Sequence, residues 1–90
     1  MRIFQATESD GSVVLRLNGP VRGQWVDELK QLSSAILQDP TARLVLDLGE
    51  VSFIAADGLE LFRELSSRHV SFSNCSLFVT EQLKALEEKR

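Results

Sequence analysis

Ninety residues are enough for one domain, near the lower size at which a single apolar core suffices without disulfides or metals. The 43% hydrophobic and 26% charged content is ordinary for a soluble globular chain. A net charge of -3, with a pI near 5.0 and scattered Lys and Arg, argues against nucleic-acid or anionic-membrane binding, because both need clustered cations. Cys75 is the only cysteine, so an intramolecular disulfide is excluded and a reducing compartment fits. The opening segment MRIFQATESDG has no apolar signal region, and no apolar run approaches the roughly 18 residues of a membrane span. A cytoplasmic location is expected.

Arg2 to Thr7 and Ser12 to Leu17 read as two strands joined by Glu8-Ser9-Asp10-Gly11, where Asp-Gly is a hairpin signal. The second strand is apolar enough to be interior and the first reads as an edge. Asn18-Gly19-Pro20 breaks the pattern. From Gln24 to Leu37, Val26, Leu29, Leu32 (or Ser33) and Ile36 recur at three and four residues, which predicts an amphipathic helix ended by Asp39-Pro40. Leu44, Val45, Leu46 and Leu48 then form a near-continuous apolar run, the pattern of a strand covered on both faces. Asp57 and Glu60 stand at capping-box spacing, so Asp57 is expected to cap a helix running from Gly58 to about Arg68. Asn74 suits a left-handed turn before a fourth strand at Cys75 to Val79, and Thr80 suits the N-cap of a last helix, Glu81 to Lys89, with Leu83 and Leu86 inward. The expected order is ββαβαβα, with the later strands parallel through right-handed crossovers.

Catalysis needs a nucleophile beside a base, a carboxylate pair in a cleft, a metal cluster or a phosphate cradle. His69 is the only histidine, which rules out a two-histidine metal site, and it reads as a helix-end charge. Cys75 reads as a small core residue. Asp47 and Glu50 flank the end of the third strand and read as solvated loop charges. Gly19, Gly23 and Gly58 lack phosphate-loop spacing. Trp25, beside Val26 at the start of the first helix, either folds over the helix-sheet seam or stands out as an aromatic anchor. No enzyme, metal or cofactor is expected.

The segment Asp47-Leu48-Gly49-Glu50-Val51-Ser52-Phe53-Ile54-Ala55-Ala56-Asp57-Gly58-Leu59 resembles the strand-to-helix signature of the STAS domain, a family named for sulfate transporters and anti-sigma-factor antagonists. That resemblance covers most of the chain and implies a mixed sheet of four or more strands with helices mainly on one face. In phosphorylated members this segment reads DLSxVxFIDSSGL. Matched position by position, the Asp before the phosphoacceptor becomes Ala55, the phosphoacceptor becomes Ala56 and the next hydroxyl becomes Asp57. Alanine has no oxygen to phosphorylate. Asp57 at a helix start is either a plain cap or a fixed negative charge in place of a phosphate. Glu60 stands where the family often has a small residue, and the chain is expected to lack most of the terminal helix of longer members.

The resemblance implies a binding module whose partner surface comprises Asp57, Gly58, Glu60, Arg63 and Glu64, with Arg22 and Trp25 beside them. It implies as partner an anti-sigma kinase of the GHKL type or a component of a signalling complex. Alternatively, the chain is a small subunit that binds the ATPase of a lipid-transport ABC system, using its first helix and an apolar patch around Trp25. An independent small-molecule or nucleotide binder is a third class, for which no basic residue is poised. The chain is expected to be a monomer or weak dimer.

Overall fold

The computed structural model describes the backbone of residues 2–88 and the side chains of residues 2–84. The elements are β1 (Arg2–Thr7), β2 (Val13–Val21), α1 (Gln24–Leu37), β3 (Leu44–Ile54), α2 (Ala56–Ser67), β4 (Ser71–Ser73) and α3 (Leu77–Glu88), in the predicted order ββαβαβα. They build a four-stranded sheet ordered β1-β2-β3-β4. β1 runs antiparallel to β2, and β2, β3 and β4 are parallel. The hairpin turn closes through the Glu8 N–H to Ser12 C=O bond at 2.8 Å, and the Asp10 carboxylate accepts from the Ser12 N–H at 2.9 Å.

Side chains alternate across the strands, so one face collects Leu15 and Leu17 from β2 and Leu44, Leu46 and Leu48 from β3. Leu29 of α1, Leu61, Phe62 and Leu65 of α2 and Val79 of α3 join them in one buried cluster. Phe72 of β4 packs inward with its ring 5.4 Å from that of Phe62. The other face carries the exposed Phe4, Arg16 and Asn18, so the helices pack on one side of the sheet.

β2 does not stop at Leu17. It continues through Asn18-Gly19-Pro20 to Val21, because pairing with β3 persists to Val21–Ile54 while the β1 ladder ends at Asn18. Pro20 is tolerated there since the ladder is irregular between Gly19 and Pro20. β3 carries extra residues at two places, and its buried positions are Leu44, Leu46, Leu48, Val51 and Ile54. The spacing changes from two to three where each bulge falls.

The last strand and the last helix also depart from expectation. β4 is Ser71–Ser73, and Cys75 to Val79 forms a turn and the first residues of α3. Asn74 is left-handed (φ 56) as predicted, but it follows β4. Ser76, not Thr80, caps α3: its Oγ accepts from the Val79 N–H at 3.2 Å. Leu77 and Phe78 are exposed while Val79 is buried, which is helical and not alternating burial. Leu83 is partly buried against the core as predicted, and the side chain of Leu86 lies outside the described residues. α2 ends in a Schellman arrangement, with Val70 N–H on the Leu65 carbonyl and His69 N–H on that of Ser66, both at 3.1 Å. His69 is the left-handed residue of that motif (φ 66) and is exposed.

Candidate functional site

The C-terminal ends of β2 and β3 meet the N-termini of α1 and α2. Val21 pairs with Ile54, and the Ala55 N–H extends the ladder with a 2.9 Å bond to the Val21 carbonyl. Ala55 is the N-cap of α2, extended at φ -76 and ψ 169, and its carbonyl accepts the first helical bond, from the Leu59 N–H at 2.9 Å. The expected Asp57 cap and its box with Glu60 do not form, because the helix begins earlier and leaves Asp57 in its first turn. An alanine cap supplies no side-chain acceptor.

Asp57 acts across the junction instead. Its Oδ1 accepts from the Gly58 N–H at 3.0 Å, and its Oδ2 accepts from the Gly23 N–H at 3.1 Å. Gly23 is the N-cap of α1, with φ 61, a conformation that glycine adopts without a Cβ penalty. One carboxylate therefore binds donors at the starts of both helices, where the dipoles favour negative charge. This bond, spanning 34 residues of sequence, cannot be read from a local motif. Gly58 lies buried below: a Cβ there would stand 3.0 Å from Ile54 Cγ2, Val21 Cγ1 and the Val21 carbonyl oxygen. It sets how closely α2 approaches the strand ends and is not itself on the surface.

Ala56 is exposed on the first turn of α2. Glu60, Arg63 and Glu64 follow along the exposed side of α2 and line a groove of ≈ 550 Å³ between α2 and α1. The far wall brings in Asp27 and Lys30, which the sequence reading did not single out. Their separation from Glu60 along the chain concealed them, although their place on the polar side of an amphipathic helix was readable. Arg22, just before Gly23, is exposed, and Trp25, in the first turn of α1, is half-buried. Gln82 of α3 ties the third helix to the same junction, its Nε2 donating to the Ile54 carbonyl at 3.0 Å.

Asp47 and Glu50 do not act as a pair. Asp47 Oδ1 accepts from the Gly49 N–H at 3.0 Å, and Oδ2 stands 3.9 Å from Arg16 Nε. The Gly49 hydrogen bond, aided by Asn74 and Arg16, holds the Asp47 carboxyl below its ordinary value of 3.8 against the opposing effect of burial. It is a bulge-stabilising group, not the solvated charge expected. Burial pushes the half-buried Cys75 thiol up, away from the reactive thiolate. Among the described residues, no three His, Cys, Asp or Glu side chains gather to hold a metal, and no helix is long and apolar enough to cross a membrane.

A mixed four-stranded sheet with helices on one face, whose third strand runs through a short loop into a helix N-terminus, defines the α/β class to which the chain belongs. The chain belongs to the STAS domain family, whose model it matches over residues 4–85. Among solved structures it is similar to the anti-sigma factor antagonist SpoIIAA in its unphosphorylated form, with a TM-score of 0.68 and 21% identity over 92% of this chain and 82% of that one. No curated protein matches it by sequence.

Proposed function

We propose that this chain is a non-enzymatic cytoplasmic module that docks a regulatory protein, of the anti-sigma kinase or signalling-complex class, through the Ala55–Gly58 loop, α2 and the start of α1. The observation that carries this reading is the Asp57 carboxylate, bonded to Gly23 and Gly58 beside a surface alanine at the phosphoacceptor position. A family member switched by phosphate gains and loses negative charge here. This chain keeps a charge there permanently and offers no hydroxyl at Ala56, so its docking face has one electrostatic state. The alternative of an ABC ATPase subunit called for an apolar patch around Trp25. Trp25 is half-buried, and the exposed large apolar side chains Phe4, Phe53, Leu77 and Phe78 lie on β1, at the end of β3 and at the start of α3, which favours the first reading.

The test is affinity capture from native lysate with wild type and with Ala56→Arg, which places a long cation on the exposed first turn of α2. A regulatory protein retained by wild type and lost with Ala56→Arg supports the reading. Equal capture by both variants sinks it.

A further inference from the structure

We propose that the groove between α1 and α2 receives a basic helix of the partner, one that carries Lys or Arg on successive turns. This rests on the reading of the chain as a protein-binding module and names the chemistry that its face selects. The groove presents four carboxylates, Asp27, Asp57, Glu60 and Glu64, against two cations, Lys30 and Arg63. Asp57, Glu60 and Glu64 are three and four residues apart on α2, so they form one stripe along a helix face. At 1.5 Å per residue that stripe is about 10.5 Å long. A helix with cations at the same spacing repeats the same rise, and its charges meet the three carboxylates in register.

Lys30 and Arg63 interrupt the acidic lining and repel a uniformly basic strip at two points, which fixes how the partner lies. Among the described residues the direct ion pair formed is Arg16 with Asp47, at the far side of the sheet, so no carboxylate of the groove is held in a direct ion pair with Lys30 or Arg63. The groove floor, Val26 and Leu61, is already buried, so docking depends on charge more than on apolar contact. A second copy of this chain is a poor occupant: α1 carries Lys30 alone, α2 carries Arg63 alone and α3 carries Lys84 alone, so none has a cationic stripe.

The ¹⁵N-labelled 90-residue chain is titrated with a synthetic helical peptide bearing Lys at positions i, i+3 and i+7, and with its Glu counterpart, at salt of about 50 and about 300 mM. The Lys peptide should shift amides at residues 27–30 and 57–64, and the Glu peptide should shift none of them. Glu60→Lys/Glu64→Lys should weaken binding about tenfold or more, as should the higher salt, while Glu8→Lys on the β1–β2 turn leaves it unchanged. Circular dichroism checks the fold, and Glu60→Gln/Glu64→Gln, expected to lose several-fold, replaces the reversal if that variant unfolds. Shifts spread over the whole surface, or wild-type affinity in the groove variant, overturn the proposal. A captured partner that is lost with Ala56→Arg yet still binds Glu60→Lys/Glu64→Lys defeats the groove and leaves the docking function standing. Seating of the Lys peptide, with equal capture by wild type and Ala56→Arg, does the reverse.

Discussion

Replacing Gly58 with alanine separates two opposing effects. In an open helix position alanine gains about 1 kcal/mol over glycine. Here the added methyl meets Ile54 Cγ2, Val21 Cγ1 and the Val21 carbonyl oxygen at 3.0 Å together. Val21 and Ile54 are fully buried, and the Val21 carbonyl is already bonded to the Ala55 N–H at 2.9 Å, so none of the three can swing away. Overpacking of this kind costs about 1–3 kcal/mol. The net expectation is a loss of about 1 kcal/mol, read as a Tm lowered by roughly 4–8 °C for a domain of this size. Urea and thermal unfolding followed by circular dichroism measure it. A variant as stable as wild type or more so would refute the claim that Gly58 is held for close packing, since helix propensity would then have won.

Asp57→Ala should cost about 0.5–2 kcal/mol by freeing the Gly23 and Gly58 N–H groups, with Asp57→Asn losing less because one acceptor remains; hydrogen exchange at Gly23 should speed up in the alanine variant. Ser33→Ala should stabilise by about 1 kcal/mol, because the Ser33 hydroxyl is fully buried in the middle of α1 and finds no hydrogen-bond partner among the described residues; lower stability on urea unfolding would show a partner that the hydroxyl does bond. Asp47 has a lowered folded pKa, so its contribution is complete above the unfolded value of 3.8 and is lost as pH falls through the lower folded value. Asp47→Asn should flatten that part of the acid limb, and an unchanged slope would count against the Gly49 hydrogen bond as its cause. Incubation with a cognate kinase and ATP should leave the intact mass unchanged, whereas a phosphate mapped between Val51 and Leu61 would contradict this, Ser52 being the one hydroxyl in that stretch.

α1 was legible nearly to its ends because its apolar positions recur along fourteen residues and the chain is broken on both sides. The β3-to-α2 segment was legible in kind and not in extent: the apolar run marked the strand, but its bulged continuation past Glu50 to Ile54 and the helix start at Ala56, two residues before the expected Gly58, depend on pairing with β2. β4 was not legible. Three residues, Ser71-Phe72-Ser73, are too few to show a period, while Cys75 to Val79 offers an apolar run that imitates a strand. The deciding contact there is the Ser76 hydroxyl on the Val79 N–H, which makes the run helical. At the site, sequence placed Asp57, Glu60, Arg63 and Glu64 on one helix but assigned Asp57 the wrong hydrogen bonds. Local spacing favoured a cap, and tertiary structure brought Gly23 within reach. The Asp27 and Lys30 wall depends on how α1 and α2 lie side by side, a relation that periodicity within either helix does not contain.

The two bulges of β3 make its length a matter of parity. The inward residues are even-numbered up to Leu48, odd at Val51 and even again at Ile54, so the second insertion undoes the first. Without the second, Phe53 would follow Val51 into the core by simple alternation; with it, Phe53 is turned out to 44% exposure and Ile54 turns in to meet Gly58. A homologue or designed variant that loses a single residue between Gly49 and Phe53 would therefore exchange the inside and outside of everything up to the helix. Loss of both restores the faces but draws α2 back by about 7 Å, two strand residues. Length change in this strand is confined to pairs, whereas the β1–β2 turn, with no downstream face to preserve beyond its own hairpin, carries no such restriction.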